Sequence, residues 1–282
     1  MISKVGFIGA GKVGTTLGKY FAENGVHISG YYSRTNEHSR RSADFTNSLF
    51  FDELVDIINI SDTIFVTVSD GEIAHVWSNI KDMDIDGKII IHCSGVMTSE
   101  VFEGAKGRGA YAYSLHPLFA INSWKDSWQH MNKAYFTVEG DINRINDIKS
   151  LIQQTGNPIS EIDAEAKTKY HAASVFFSNL VIGLAAAGEG IFLQCGLDKD
   201  FACNGWKSLF IGNAENMIDK GLAGALTGPV ERADDKTIRK HLESLEGSDE
   251  IIYRELSRMI LDIGKGKHPQ RDYTEIDKEL QK

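Results

Sequence analysis

Short apolar runs alternate with amphipathic stretches from the N-terminus to about Glu161. Runs rich in β-branched and aromatic residues predict strands, and the stretches between them predict helices, which together favour a parallel, doubly wound sheet. Helices are predicted over 12–24 and 52–59, and a third is predicted to be capped by Asp70. The predicted strands are residues 4–8, 26–32, 63–68, 88–93, 111–115, 134–138 and 159–162.

After Glu161 the strand-like runs stop and the pattern becomes helical. We therefore predict an α/β fold in which an N-terminal Rossmann doubly wound sheet (residues 1–161) is followed by an all-helical C-terminal domain (residues 162–282). The polar residues 264–282 are expected either to pack on a partner or to stay loose. The predicted helices of this half are residues 164–193, 199–219, 235–245 and 249–263.

One helical segment, residues 172–187, is apolar enough to raise the question of a membrane span. It contains Ser174, Ser178 and Asn179 and is followed by Glu189, so it falls short of a spanning helix. We expect a buried helix and no membrane association.

Charge and cysteine content exclude several classes of function. The formal net charge is −9 and basic residues do not cluster, so we expect no nucleic-acid partner. The three cysteines, Cys93, Cys195 and Cys203, lack the spacing of a zinc site, so we expect no metal. Sparse cysteines and an N-terminus without a signal peptide predict a cytoplasmic protein with reduced thiols.

A glycine-rich turn joins the first predicted strand to the first predicted helix. Such a turn presents backbone N–H groups and the positive end of the helix dipole, which together bind anions. Gly9 allows the tight turn, Gly11 lets a pyrophosphate approach the backbone, and Gly14 lets helix and strand pack closely. The sequence therefore predicts a dinucleotide site formed by Gly9, Ala10, Gly11, Lys12, Val13 and Gly14.

The end of the second predicted strand indicates which dinucleotide binds. NAD enzymes usually place Asp or Glu there to hold the ribose 2′-hydroxyl, but no carboxylate occurs between Val26 and Asn36. Ser33 and Arg34 take that position instead. Because a guanidinium suits a phosphate dianion, we expect NADP(H) rather than NAD(H). The alternative is a solvated arginine at a strand end.

Small or polar residues follow three of the predicted strands, where ligands bind in doubly wound folds. Ser69 is expected to lie along the cofactor, and Ser94 and Gly95 near the nicotinamide, with Ser94 contacting both cofactor and substrate. His116 precedes Pro117, which restricts it to extended backbone. The predicted loop there forms one wall of the substrate pocket. A plain turn at Ser94 and a structural turn with an exposed histidine are the alternatives.

A polar stripe marks the first long helix of the second half. At 100° per residue, His171, Ser174, Val175, Ser178 and Asn179 fall within an arc of about 140°. A histidine can donate a proton near neutral pH, so we assign His171 as proton donor, Asn179 as its orienting or substrate-holding partner, and Ser174 to substrate binding. The alternative is a core histidine satisfied by an amide.

Residues 225–234 join two predicted helices and contain Arg232. We expect Arg232 to pair with a substrate carboxylate. A plain helix–helix turn, with Asp234 capping the next helix, is equally compatible with the sequence.

The chain resembles known oxidoreductases over nearly its whole length. Residues 1–100 resemble the N-terminal domain of ketopantoate reductases, pyrroline-carboxylate reductases, 6-phosphogluconate dehydrogenases and deazaflavin-dependent NADP oxidoreductases. The runs 115–118, 170–179 and 225–229 resemble a branch of Rossmann-like oxidoreductases with an uncharacterised helical C-terminal domain. Some of its members resemble alternative ketopantoate reductases. This implies NADPH-dependent reduction of 2-dehydropantoate to pantoate in pantothenate synthesis, by a homodimer formed through the helical domain.

The resemblance has one departure at the proton donor. The better-known ketopantoate reductases place a lysine on the first long helix of the second domain and an asparagine one or two turns later. Aligned through Asn179, His171 takes the place of that lysine and Val175 that of the intermediate asparagine. Lys167 and Lys169 are close enough for a shifted register to restore the lysine.

Three hypotheses of function follow. The first is an NADPH-dependent reductase of a small 2-oxo acid, most of all 2-dehydropantoate. The second is an imine reductase of the pyrroline-carboxylate type or a deazaflavin:NADP oxidoreductase. The third is a non-catalytic NADP(H)-binding sensor.

Overall fold

The computed structural model describes residues 2–282, which divide into two compact units. The first unit ends at Leu180, and the second comprises Val181–Lys282. The predicted change from strands to helices near Glu161 is observed, but the first unit continues beyond it and includes the helix Lys167–Phe176. His171 therefore belongs to the same compact unit as the sheet.

The first unit is built on an eight-stranded sheet. Its strands are β1 (Val5–Ile8), β2 (Ile28–Tyr32), β3 (Leu49–Phe51), β4 (Thr63–Val66), β5 (Ile89–His92), β6 (Tyr111–Leu118), β7 (Tyr135–Gly140) and β8 (Ile159–Glu161). Its α-helices are α1 (Lys12–Glu23), α2 (Asn36–Thr46), α3 (Leu54–Ile60), α4 (Asp70–Ile80), α5 (Ile145–Gln154) and α6 (Lys167–Phe176).

The strand order is β3-β2-β1-β4-β5-β6-β7-β8, and every neighbouring pair is parallel except β6 and β7. The α/β fold with a Rossmann-type sheet is therefore confirmed, but the expectation of a wholly parallel sheet is wrong at β6–β7. A parallel return requires a long crossover, usually an α-helix. The connection 119–134 holds only the 3₁₀ helix Ser127–Lys133, which packs on α1, so β7 runs antiparallel beside β6.

The central strands are buried on both faces because helices cover both sides of the sheet. Phe7 of β1 and Phe65 of β4 stack with ring centroids 5.2 Å apart and pack against Phe21 of α1. Ile64 of β4 and Ile90 of β5 lie in a second cluster with α3 and α4. Double-sided burial explains the continuous apolar runs of these strands. The sequence pattern does not predict β3, which is short and partly exposed.

The helix predicted over 164–193 is divided by a turn between α6 and α7 (Asn179–Gln194). The Ser174 hydroxyl donates to the carbonyl of Tyr170 (3.1 Å), and the Ser178 hydroxyl donates to the carbonyl of Ser174 (2.9 Å). Hydroxyls that bond back to a carbonyl one turn earlier bend and slightly destabilise helices. The predicted polar stripe is therefore interrupted before α7.

The second unit is helical, as predicted. Beyond α7 its helices are α8 (Lys199–Asn204), α9 (Lys207–Ala225), α10 (Asp235–Ser244), α11 (Gly247–Lys267) and α12 (Thr274–Gln281).

The C-terminal segment 264–282 is ordered against its own chain, so the prediction that it is loose or needs a partner is wrong. Ile276 and Leu280 lie one helical turn apart and pack with Tyr273 in the core of the second unit. Glu279 accepts a hydrogen bond from Arg239 of α10 at 2.7 Å. Few apolar residues at helical spacing are thus enough to dock α12.

The apolar helical stretch predicted to be buried, residues 172–187, is exposed, so that prediction is wrong. By length and composition the stretch Ala164–Gln194 is apolar enough to cross a membrane, and none of its most apolar window is buried inside the chain. On α9 the side chain of Ile218 is 83% exposed. Leu180, Ile182, Leu184, Leu209, Ile211 and Leu222 are also exposed on α7 and α9. Exposed apolar patches of this kind mark interaction surfaces.

Candidate functional site

A cavity of about 410 Å³ lies at the carboxyl ends of β1, β2 and β4. It brings together the predicted cofactor residues Gly9, Ala10, Gly11, Ser33, Arg34 and Ser69. Lys12, Val13 and Gly14 form the adjoining first turn of α1. The helix begins without a capping side chain or an acidic residue, so its first backbone N–H groups are available to an anion.

The glycine turn has the close packing that the motif requires. Gly9 has φ +107°, and its carbonyl accepts a hydrogen bond from Thr67 Oγ1 at 2.7 Å. A Cβ atom on Gly14 would lie 2.3 Å from the Gly9 carbonyl oxygen, whereas a Cβ on Gly11 would meet no atom within 4 Å. Helix and strand therefore need glycine at Gly14, and the backbone at Gly11 is open to a ligand.

The end of β2 is followed by an arginine and not by a carboxylate. Arg34 and Thr35 follow the strand, and His38 lies in the first turn of α2; all three border the cavity and are exposed. Arginine donors beside a helix N-terminus favour a phosphate group at this position.

Arg41 of α2 is a supporting residue that the sequence analysis misses. Its Nη2 donates to the carbonyl of Ala10 at 2.9 Å, and its guanidinium stacks on Trp124 at 4.3 Å. Its Nε is buried without a hydrogen-bond partner. Arg41 thus holds the glycine turn from the side. The sequence alone does not reveal this role, because Arg40 and Arg41 are adjacent arginines and nothing in the pattern distinguishes them.

Ser69 and Asp70 connect the cavity to the end of β5. Ser69, rather than the predicted Asp70, is the N-cap residue of α4. Asp70 instead accepts a hydrogen bond from Ser94 Oγ at 2.7 Å, and Ser94 Oγ accepts one from the Met97 amide at 3.1 Å. The hydroxyl hydrogen of Ser94 is therefore directed to Asp70.

His92, at the end of β5, orients the loop that carries Ser94. Its Nδ1 accepts a hydrogen bond from the Ser94 amide at 3.2 Å, so Nε2 carries the hydrogen and donates to the carbonyl of Thr98 at 3.1 Å. Burial lowers the pKa of His92 to about 4, which keeps the ring uncharged at neutral pH.

Lys167, at the start of α6, is buried beneath this loop. Its Nζ donates to Ser114 Oγ at 2.5 Å and to the carbonyl of Ser94 at 3.2 Å. Burial lowers its pKa, and the charges of Glu139, Cys93 and Asp70 oppose that shift. From the sequence, Lys167 is a candidate only through the family resemblance, because a lysine at the polar start of a predicted helix is expected to be exposed to solvent.

His116 lies within β6, opposite Thr137 of β7, and not in the predicted loop. The strand continues through Pro117 because its partner β7 covers this side. His116 Nδ1 is 2.9 Å from the hydroxyl of Tyr170 on α6. Burial lowers the pKa of His116 to about 4, with further lowering by Lys167 and His171.

Gly95, His116 and His171 form what we call the imidazole site. A Cβ atom on Gly95 would lie 2.5 Å from His171 Nδ1 and 3.0 Å from His116 Nε2. Both imidazole rings therefore pack directly against the backbone of Gly95. His171 Nδ1 is buried and has no hydrogen-bond partner in the protein. Such an orphaned polar atom needs a ligand or water.

The other predicted site residues have different surroundings. Ser174 is half-buried and bonded to its own helix, and Asn179 is exposed at the start of α7. Arg232 is exposed in the second unit. Across residues 2–282, no three His, Cys, Asp or Glu side chains are grouped so as to hold a metal ion.

The buried His92 makes the first unit sensitive to acid. Because its pKa is about 4 when folded and near 6.5 when unfolded, the unfolded chain binds more protons between these values. The contribution of His92 to stability should be constant above about pH 6.5 and decrease by about 3 kcal/mol as the pH falls toward 4, and His116, whose pKa is also about 4, adds to the decrease. Hydrogen exchange of the β5 amides measures this decrease. The variant His92→Gln should make the profile shallower without abolishing the decrease, and the exposed-residue variant His130→Gln should leave it unchanged; equal slopes in all three proteins would contradict this prediction.

Two family models match the chain. Residues 2–117 match a Rossmann-like domain, and residues 134–260 match a domain of unknown function, DUF2520. No curated protein matches this sequence.

Solved structures share the fold over almost the whole chain. Protein TM1727 from Thermotoga maritima is 24% identical, with a TM-score of 0.75, over 94% of this chain and 99% of that one. A candidate NADP oxidoreductase from Bacteroides fragilis, BF3122, is 23% identical with a TM-score of 0.67, over 93% and 98%. Pyrroline carboxylate reductase from Plasmodium falciparum, with NADP bound, is 15% identical with a TM-score of 0.57, over 95% and 96%.

At these identities the likeness establishes the fold. The family matches add the two domain types and their order. The chain therefore resembles a Rossmann-like domain over residues 2–117 and a DUF2520 domain over residues 134–260.

Proposed function

We propose that this chain is an NADP(H)-dependent oxidoreductase that reduces a small 2-oxo acid, with 2-dehydropantoate, the precursor of pantoate in pantothenate synthesis, as the first candidate. The observation that carries the proposal is the connection between two features. The cavity at the glycine turn meets the loop of Gly95 through the hydrogen bond between Asp70 and Ser94. A dinucleotide site thus adjoins a site with two imidazole nitrogens.

The cofactor assignment rests on Arg34. It borders the cavity where the ribose of a bound dinucleotide lies in Rossmann folds, and no carboxylate competes for that position at the end of β2. The similar structure from Plasmodium falciparum holds NADP. These observations support NADP(H) over NAD(H).

The imidazole site provides what carbonyl reduction needs. Bound NADPH would supply a hydride to the carbonyl carbon. Gly95 lets the backbone pass close to both rings, where a side chain would collide with them, and His171 Nδ1 has no hydrogen-bond partner in the protein. Negative charge develops on the carbonyl oxygen during hydride transfer. A hydrogen-bond donor beside that oxygen stabilises the charge, and a titratable donor can transfer its proton to the oxygen.

His171 is a better candidate proton donor than Lys167. The Lys167 ammonium is buried, and two of its hydrogens are directed to Ser94 and Ser114. Its position supports a structural and electrostatic role under the loop. The predicted contribution of Arg232 to carboxylate binding remains part of the proposal.

Imine reduction is the second candidate. The likeness to pyrroline carboxylate reductase favours it. The two reactions differ in their need for an acid, because the nitrogen of an iminium ion already carries its proton.

An assay that follows the absorbance of NADPH directly distinguishes the two reactions. We expect NADPH oxidation with 2-dehydropantoate but not with pyruvate or 2-oxoisovalerate. Loss of the proton donor in His171→Ala should lower kcat about 100-fold or more without changing NADPH affinity, while His130→Gln remains fully active. Binding of NADPH without turnover of any 2-oxo acid would contradict the proposed substrate. Turnover of 1-pyrroline-5-carboxylate that His171→Ala leaves intact would establish the imine alternative.

Arg34→Ala tests the cofactor. Removing a charged hydrogen-bond donor to the 2′-phosphate should weaken NADPH binding about 10- to 100-fold and leave NADH binding nearly unchanged. Fluorescence titration of both nucleotides measures the two Kd values. Arg40→Ala, which removes an exposed arginine of α2 that does not line the cavity, serves as a control. Equal weakening of both nucleotides would show that Arg34 does not recognise the phosphate.

We also propose that a second copy of the chain covers the exposed apolar face of α7 and α9. Charged residues punctuate these helices, among them Glu189, Lys207 and Lys220, as suits a protein interface better than a lipid-facing surface. We also infer a cytoplasmic location from the sparse cysteines.

Light scattering after size-exclusion chromatography tests the interface. The wild-type chain should be a dimer, and Ile218→Asp should shift it toward a monomer because a buried charge opposes association. Lys240→Glu on α10 should leave the dimer intact. A monomeric wild-type chain, or wild-type protein that is recovered only with membranes, would contradict this prediction.

A further inference from the structure

We propose that His116 acts as an uncharged hydrogen-bond donor in the imidazole site, held in a single tautomer by the Tyr170 hydroxyl, with its Nε2–H directed at the reacting oxygen of the substrate. The tautomer follows from the protein alone. The contact with a substrate oxygen rests on the proposed function. His116 would then differ in role from its neighbour His171.

The contact between His116 Nδ1 and the Tyr170 hydroxyl, 2.9 Å apart, sets the tautomer. A phenol is a stronger donor and a weaker acceptor than a neutral imidazole nitrogen, so the hydrogen of this bond belongs to Tyr170. Burial raises the pKa of Tyr170, which keeps that hydrogen on the oxygen. His116 Nδ1 is then the acceptor, and the ring hydrogen lies on Nε2.

Three charged or titratable groups besides Tyr170 act on His116. Lys167 and His171 on α6 disfavour a second proton on the ring, and Asp70 on α4 favours it more weakly. Burial disfavours the proton most of all and, with these groups, gives a pKa of about 4. The ring is therefore neutral throughout the range in which most enzymes work.

The position of Nε2 places this neutral donor beside its neighbour. Nε2 and His171 Nδ1 both lie within about 3 Å of where a Cβ on Gly95 would be. A neutral imidazole polarises a carbonyl without changing charge near neutral pH. The two histidines would divide the work, since His116 supplies a fixed hydrogen bond while His171 supplies the proton.

Nitrogen NMR of the full-length, ¹⁵N-histidine-labelled protein tests the tautomer without any assay of activity. The signals of His116, assigned by their loss in His116→Gln, should show a bare Nδ1 and a protonated Nε2 that do not change between about pH 5.5 and 8.5. In Tyr170→Phe the lock is lost, and the signals should shift toward a mixture of tautomers. A hydrogen on Nδ1, titration within this range, or no effect of Tyr170→Phe would overturn the proposal.

Kinetics test the role toward substrate. His116→Ala should lower kcat about 100-fold, as removal of an oxyanion donor does. His116→Gln can present an amide N–H at a similar position and should recover at least about tenfold of that loss. The pH profile should keep the same midpoint in His116→Gln as in wild type. A shifted midpoint, or equal losses in both variants, would overturn the role of donor. A chain that turns over no substrate refutes the proposed function and the donor role with it, while the NMR result stands separately.

Discussion

The buried ammonium of Lys167 is the interaction on which the candidate site depends. Its two hydrogen bonds tie the first turn of α6 to the segment after β5 through Ser94 and to the middle of β6 through Ser114. Burying an amine is costly unless it is bonded, so the helix cannot turn or slide without losing both contacts. Tyr170 and His171 follow one turn later and are thereby held over His116 and Gly95.

Local features of the site can be predicted from the sequence. The glycine turn is recognisable because a side chain at Gly9 or Gly14 would collide with atoms close by in the fold, so the strand–turn–helix unit requires glycine at both positions. Arg34 is recognisable because it lies just after the second predicted strand, residues 26–32, where Rossmann folds contact the ribose of the cofactor. The α/β class and the helical second half follow from hydrophobic periodicity in the same way.

Features that depend on distant pairing are not predictable at this level. His116 precedes a proline and reads as a loop, yet β7 pairs with it and makes it part of a strand. The sequence predicts Asp70 as a helix cap, yet its carboxylate accepts a hydrogen bond from Ser94, which follows the neighbouring strand β5. The apolar sequence of α7 predicts a buried helix. Such a pattern indicates that a surface must be covered, but it does not indicate whether the same chain or a second chain covers it.

The antiparallel pairing of β6 with β7 has a consequence for how this architecture is divided. The DUF2520 match begins at residue 134, just before β7, and β7 is hydrogen-bonded to the last strand of the Rossmann-like match. Cutting between the two matches would leave β6 with a bare edge, a template for aggregation. Sequence families and folding units therefore have different borders in this chain, because β7 belongs to the compact unit of the sheet although it falls within the DUF2520 match.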